Sequence, residues 1–357
     1  MVRPDLGKPS SEVQVFGRMP VAAAALAALV ALTGCASAPT PAGGPPASPA
    51  PADAPPGPTA IPAGMGAAEA DGVFPRTITH FGGTTTIPAQ PQRVVVIATG
   101  QTDAILTLGV VPVGVAYGDD ADLVPRYVQE AFPQNTAQLA AVASVGSRQS
   151  PNLEAIAALH PDLVLANAAG SQEAYPALSQ IAPTVLVEGT GVNWKQDFLM
   201  LADALGMEGT AQVFLDDFSA DAAALGAAAG QETVSFIRVT ADRTRIFGVA
   251  SFTGFIAWDA GLLRPESQRF DATSQDLSPE ELQLAEADRI FYSVQGATTE
   301  AQAAESATIG NPLWRALPAV RDGRTVFVDD DPWYLNAGPT AARLVLTGLT
   351  EALAPTG

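Results

Sequence analysis

The sequence predicts an α/β protein of two related lobes joined by one long helix, and three observations predict it. Apolar runs such as Arg93-Val94-Val95-Val96-Ile97 and Val234-Ser235-Phe236-Ile237 alternate with helical stretches, the pattern of a mainly parallel sheet covered on both faces. A helix over 210–229 divides the chain, with Phe214, Phe218 and Leu225 near one face and Thr210 as its N-cap. Gly206 and Gly209 break it from the preceding helix, and Gly230 ends it. A repeat brackets that helix. Glu154 precedes Asp162 by eight residues, ahead of Leu163-Val164-Leu165; Glu280 precedes Asp288 by eight, ahead of Arg289-Ile290-Phe291.

The chain begins with Arg3, Lys8 and Arg18, then an alanine-rich apolar stretch over 21–32 that is short for a bilayer span and fits an export signal. Leu32-Thr33-Gly34-Cys35 closes it and resembles a bacterial lipobox, in which the cysteine is lipidated and becomes the mature N-terminus. The expectation is a signal peptide over 1–34 and a tether over 35–73, rich in Pro, Ala and Gly and too poor in bulky apolar residues to fold. At about 3.1 Å per residue such a tether reaches on the order of 100 Å.

A first lobe is expected over 74–209. Thr77 to His80 and Thr84 to Ile87 flank Gly82-Gly83 as a hairpin. Strands follow at 93–97, 112–116, 163–166 and 184–187, with helices over 101–108, 152–159 and 173–181. The joining helix takes 210–229, and a second lobe fills 230–357. Its strands are expected at 234–239, 245–248, 289–293 and 325–328, with helices around 255–262 and over 340–353. In sheets of this kind ligands bind beyond the carboxyl ends of the strands.

At 357 residues and 47% hydrophobic content the chain can bury two cores. Its formal charge of −19 argues against nucleic acid as a partner. Cys35 is the only cysteine, so no intramolecular disulfide or thiolate cluster forms. Lys195 is the only lysine beyond Lys8, which leaves arginine as the main donor to anions. Catalysis has little to work with. The two histidines, His80 and His160, fall in a hairpin and at a helix end, and Gly248-Val249-Ala250-Ser251-Phe252-Thr253-Gly254 lacks the G-x-S-x-G spacing. Gly189-Thr190-Gly191 is too short for a dinucleotide loop. No catalytic and no metal-ligating residue is assigned.

Arg93-Val94-Val95-Val96, Leu108-Gly109-Val110-Val111-Pro112-Val113-Gly114-Val115, Pro151-Asn152-Leu153-Glu154-Ala155-Ile156, Leu159-His160-Pro161-Asp162-Leu163-Val164 and Asn311-Pro312-Leu313-Trp314 occur in that order. Together they resemble the iron-siderophore and cobalamin class of ABC-transporter substrate-binding lipoproteins over roughly 76–353. His160 departs from the pattern, where the family usually carries lysine. The resemblance implies two Rossmann-like α/β lobes joined by a single long helix, with the ligand cleft between them and little hinge closure. It implies an extracytoplasmic monomer, lipid-anchored to the cell membrane, that passes a ferric siderophore to an ABC importer permease and binds no cofactor of its own. A cobalamin or haem carrier is the alternative within the class; a lipid-anchored enzyme is the alternative outside it.

For such a ligand, guanidinium groups and aromatic faces are the expected contacts. Arg238 interrupts an apolar strand, and the resemblance places a ligand-contacting arginine there; pairing with a structural carboxylate is the competing role. Trp194, Phe252, Phe255, Trp258, Tyr292, Trp333 and Tyr334 each stand where a strand end faces the cleft, with core packing as the alternative. Tyr117, Gly118 and Asp119 belong to the same rim, and Arg148 is a further cleft arginine. By resemblance, Glu154 and Glu280 dock on the permease, with Glu281 as alternate for Glu280; first-turn helix acids are the plainer reading.

Overall fold

The computed structural model describes residues 55–118 and 122–354. Cys35, the expected signal peptide, most of the expected tether and Asp119 lie outside the described residues.

Fourteen strands form three sheets among the described residues. A small antiparallel sheet holds β1 (Gly66–Ala67), β2 (Arg76–His80) and β3 (Gly83–Ile87). The first large sheet holds β4 (Val94–Val96), β5 (Gly114–Tyr117), β6 (Ala143–Ser147), β7 (Ser150–Pro151), β8 (Leu163–Asn167) and β9 (Thr184–Val187), in the order β7-β6-β5-β4-β8-β9. All its pairs are parallel except β6 with β7. The second holds β10 (Val234–Val239), β11 (Thr244–Phe247), β12 (Ser274–Leu277), β13 (Arg289–Val294) and β14 (Thr325–Phe327), in the order β12-β11-β10-β13-β14. Here β10, β13 and β14 run parallel, while β11 pairs antiparallel with both β10 and β12. Val94, Val95, Val96, Leu163, Val164 and Leu165 are all buried, as an uninterrupted apolar run requires of a strand covered on both faces.

The repeat seen in the sequence has a structural basis at its aspartates. Asp162, just before β8, accepts the backbone N–H groups of Gln92 (2.8 Å) and Arg93 (2.8 Å), just before β4. Asp288, just before β13, accepts the backbone N–H (2.8 Å) and hydroxyl (2.7 Å) of Thr233, just before β10. Each carboxylate thus ties together the amino ends of two neighbouring interior strands of its sheet. The glutamates are less alike. Glu154 stands in the first turn of the helix Leu153–Ala158, which Asn152 caps through the N–H of Ala155. Glu280 lies in a turn ahead of a 3-10 helix, Leu282–Ala285, so the expectation of a helical position fails there. Pro279 and the loop geometry leave room for one 3-10 turn only, and Glu281 uses its carboxylate to accept the Ser278 N–H. His160 is exposed and takes a left-handed φ of 45° just beyond the helix.

The central helix runs Glu208–Ala229 and buries Ala211, Leu215, Phe218, Ala222, Leu225 and Ala229, spaced by alternating four and three residues. Its start departs from expectation. Gly209 lies inside the first turn, Thr210 is not the cap, and the carboxylate of Asp71 accepts the N–H groups of Glu208 (2.9 Å) and Gly209 (2.8 Å). Asp71 belongs to the stretch read as tether, and that stretch folds at its end. Ile61, Met65 and Ala67 pack against the core, Ala67 donates its N–H to Asp203, and Asp203 pairs with the fully buried Arg76 at 2.8 Å. Three apolar side chains suffice because carboxylates of the core and the strap satisfy the backbone that composition alone left unpaired.

A single joining helix is an incomplete description. The C-terminal helix, Pro339–Leu353, buries Val345, Leu346, Leu349 and Leu353 and packs on the central helix and on the first-lobe helices Gln101–Thr107 and Trp194–Leu205. Buried Asp103 caps it, accepting the N–H groups of Thr340 and Ala341, each at 2.9 Å. A helix expected to close the second lobe therefore belongs to the core that runs between the two large sheets.

Candidate ligand-binding cleft

Three first-lobe loops converge on one cleft. Beyond β4, Gly100 holds φ 80° at the start of the helix Gln101–Thr107 and lies against the Ala337 backbone, where a Cβ would come within 3.0 Å. Gln101 donates to the Ala166 carbonyl (2.8 Å) and ties that loop to the end of β8. Beyond β8, Asn167 caps the helix Ala168–Ser171. Beyond β9, Thr190 adopts φ 75°, a costly conformation for a β-branched residue, between Gly189 and Gly191. Asp197 holds this turn by accepting the N–H groups of Glu188 (3.1 Å) and Gly189 (2.9 Å), while Asn193 donates to the Gly189 carbonyl.

The second half supplies the opposite wall. Phe247 ends β11, and the buried Ser251 hydroxyl caps the helix Phe252–Asp259 by accepting the Gly254 N–H at 2.9 Å and donating to the Gly248 carbonyl at 2.7 Å. That cap aligns Phe252 and Thr253 with the cleft and employs the hydroxyl that the loose nucleophile-like motif contains. Past β14 the chain crosses the sheet face as a π-helical turn, Asp331–Leu335. Trp333 stacks on Phe291 with ring centres 5.3 Å apart, and Tyr334 lies 4.6 Å from the Phe247 ring. The cleft measures about 320 Å³, within the range of small-molecule sites.

Of the sequence candidates, Arg148, Trp194, Phe252, Trp333 and Tyr334 line the cleft. Trp194 forms its floor, 2% exposed, with edge contacts to Phe218 of the central helix and Phe252 across the cleft. Arg238, Tyr117, Gly118, Phe255, Trp258 and Tyr292 fall elsewhere. Arg238 is buried, does not line the cleft and makes a bidentate pair with Asp330, at 2.8 and 2.7 Å, the arrangement expected of its competing structural role. Arg238 stands opposite Arg245 of β11, and its guanidinium is taken up by Asp330, just ahead of the turn that carries Trp333 and Tyr334. Tyr117 is exposed at the end of β5, and its carbonyl accepts the N–H of Arg148. Trp258 packs edge-on against Phe255 and lines a separate shallow depression with Lys195 and Asp259. Tyr292 packs between Trp314 and Phe327 on the outer side of its sheet.

Sequence reasoning missed the neutral polar lining: Thr99, Gln149, Asn167, Thr190, Thr253 and Thr273. Gly189-Thr190-Gly191 carried a signal, since two glycines around one residue after an apolar strand mark a tight functional turn. Lys195, the conspicuous lone lysine, lies behind the floor, where its ammonium pairs with Asp259 at 2.6 Å and stands 4.6 Å from the Phe255 ring centre. Among the described residues no cluster of three or more His, Cys, Asp or Glu side chains is arranged to hold a metal.

Burial pushes the Asp197 carboxyl up to about 7, against the pull of its two backbone donors and the Gln196 side chain. A folded value above the ordinary 3.8 means that the native state holds the proton more tightly than the unfolded chain does. Its contribution to stability is full below about pH 4 and is lost as the pH rises through about 7. Asp197→Asn cannot ionise, so its stability is expected to fall less than the parent's over that interval, by on the order of a few kcal/mol. Urea unfolding at a series of pH values checks this, and parallel curves for parent and variant refute it.

Residues 94–332 match the family model described as periplasmic binding protein. A probable siderophore-binding lipoprotein of Bacillus subtilis is 32% identical over 284 residues, covering 76% of this chain and 85% of its own length. The Fe(3+) dicitrate-binding periplasmic protein of Escherichia coli is 26% identical over 276 residues, covering 76% and 88%. The crystal structure of Staphylococcus aureus SirA complexed with staphyloferrin B superposes with a TM-score of 0.68 at 29% identity, over 78% of this chain and 98% of that one. With a family model spanning both large sheets, this chain belongs to the periplasmic binding protein family.

Proposed function

We propose that the protein captures a ferric siderophore in this cleft and delivers it to an ABC importer. The observation that carries the reading is an aromatic cleft between two α/β sheets in a chain of this family, floored by Trp194 and walled by Trp333. Arg148, Phe252 and Tyr334 complete the proposed contacts, and the iron arrives as part of the ligand rather than as a resident metal. Because two indoles line the cleft, their fluorescence reports occupancy. Ferric siderophores are expected to quench it saturably, and cobalamin and haem are not; saturable quenching by either of those with none by any ferric complex overturns the reading.

In this reading the chain is an extracytoplasmic monomer held to the cell membrane by lipidation of Cys35. Each buried methylene of an acyl chain contributes about 0.8 kcal/mol, so multiple acylation gives a lasting anchor. Cys35→Ser is expected to move the protein out of the membrane fraction or to block its maturation, and unchanged fractionation with retained lipid counts against the anchor.

Glu154 and Glu280 are proposed to meet arginines of the permease, one on each half. What supports this is their exposure and their matching distance from Asp162 and Asp288, which hold equivalent places in the two sheets. Exposed carboxylates add little to folding, so Glu154→Ala with Glu280→Ala is expected to leave stability within about 0.5 kcal/mol and ligand affinity intact. Iron-siderophore uptake is expected to fall further in the double variant than in either single one. Normal uptake by the double variant sinks the docking role.

A further inference from the structure

Eight large hydrophobic side chains stand exposed among the described residues, and three of them belong to the segments that carry or adjoin Glu154 and Glu280. Leu153, 37% exposed, directly precedes Glu154 in the helix Leu153–Ala158. Ala157 and Ala158, four residues on from Leu153 and Glu154, are exposed as well, so the helix surface around that carboxylate is apolar. In the second half a different piece of chain does the same. Leu313, 40% exposed, lies in the helix Pro312–Ala316, which packs on the 3-10 turn Leu282–Ala285 just beyond Glu280. Its cap residue Asn311 donates from its side-chain nitrogen to the Pro279 carbonyl at 3.2 Å, which fastens this helix to the turn that holds Glu280. Ile309, 38% exposed, ends the helix before it, and its carbonyl accepts the Arg315 guanidinium at 3.3 Å.

The two carboxylates are uncommitted. Among the described residues no hydrogen bond or ion pair takes up the side chain of Glu154 or Glu280. Glu281, by contrast, is used by its own turn, where it accepts the Ser278 N–H at 3.0 Å. A carboxylate in open water gains little from a cation that meets it, because water screens the pair. Apolar neighbours change that. Once a partner covers them they exclude water from the pair and add buried area of their own.

We infer that each half docks through a leucine beside a glutamate, Leu153 with Glu154 and Leu313 with Glu280, and that the permease meets each with an arginine set in an apolar socket. The inference rests on the docking reading proposed above and deepens it. Charge selects this occupant. An anionic lipid surface, or a second copy of a chain of net charge −19, sets like charge against both carboxylates, whereas a cationic protein surface complements them. The leucines then require that this surface be apolar around the cation, since truncating a well-covered apolar anchor is what weakens an interface most.

The test returns the full chain to cells deleted for it and follows uptake of radioactive iron supplied as the complexes of desferrioxamine B, enterobactin and citrate. Tryptophan quenching by the same complexes is measured in parallel. Leu153→Ser with Leu313→Ser is expected to lower uptake about tenfold while quenching keeps the parent's affinity. Leu153→Met with Leu313→Met keeps the apolar surface and is expected to transport like the parent. Val213→Ser with Leu344→Ser alters two exposed apolar positions on the central and C-terminal helices and is expected to do the same. Normal uptake by the leucine-to-serine pair overturns the inference, and the docking reading stands without it if Glu154→Ala with Glu280→Ala still transports poorly. An equal fall in the Val213 and Leu344 pair, or a loss of quenching in the leucine pair, also overturns it, because the leucines then act through the body of the protein rather than at a docking surface. Uptake of none of the three complexes by the parent overturns the ferric-siderophore reading and the inference with it.

Discussion

Replacing Arg238 by alanine is expected to cost about 3–5 kcal/mol of folding stability, because it strands a buried carboxylate. Arg238 is 5% exposed and Asp330 is 7% exposed; the guanidinium grips both carboxylate oxygens, and the Ser293 hydroxyl donates to one of them at 2.6 Å. Asp330 directly precedes the turn that carries Trp333 and Tyr334 into the cleft, so the pair fixes the second-half wall from behind. Ligand affinity is therefore expected to fall as well, through misplacement of that wall. The paired replacement Arg238→Met with Asp330→Leu removes both charges and is expected to recover most of the stability, since an apolar pair of similar volume often replaces a buried ion pair at little cost. Chemical denaturation of ligand-free protein checks both. A loss below about 1 kcal/mol in Arg238→Ala, together with a large loss of ligand affinity, would restore Arg238 as a direct contact.

Trp194→Ala is expected to have an effect of similar size by a different route. The indole is buried at the junction of three elements: it starts the helix Trp194–Leu205, meets Phe218 of the central helix with ring centres 5.2 Å apart, and meets Phe252 of the second half at 6.0 Å. Truncation leaves a cavity under the cleft floor, with a cost of about 3–5 kcal/mol. It also removes the seat that Lys195 shares with the Phe218 and Phe255 rings. Trp194→Phe keeps most of the volume and is expected to cost less than half as much. Guanidinium unfolding of the two variants separates these outcomes, and a loss in Trp194→Ala no larger than in Trp194→Phe contradicts the packing account.

Periodicity made most of the architecture readable. The run Val234–Val239 forms β10 with the bounds read from the sequence, because a strand buried on both faces leaves a mostly apolar signature. The spacing from Glu154 to Asp162 and from Glu280 to Asp288 marked two related halves, and the aspartates proved to tie equivalent strand pairs. What stayed hidden depended on partners distant in sequence. Nothing near Asp71 announces that it caps a helix 137 residues later, and nothing near Asp103 announces Thr340. Arg238 shows the same limit from the other side. A charge in an apolar strand signals a partner, but that Asp330 is the one beside it is set by the path of the chain after β14. The neutral cleft lining was least legible, since threonine, asparagine and glutamine look like any loop until backbone geometry such as the φ of 75° at Thr190 brings them to one place.

The strap over 57–73 gives the folded body a mechanical property. Its attachments come one after another along the chain: Gly57 against Val192 and Phe255, Ala67 to Asp203, and Asp71 to the start of the central helix. A pull from upstream meets them in series, so the outermost contact carries the load first and yields first. Each release lengthens the free chain and relaxes the tension before it reaches β2 and the buried Arg76. The strap thus works as a shock absorber: a pull on the chain ahead of residue 57 is taken up along it before the two walls of the cleft are disturbed.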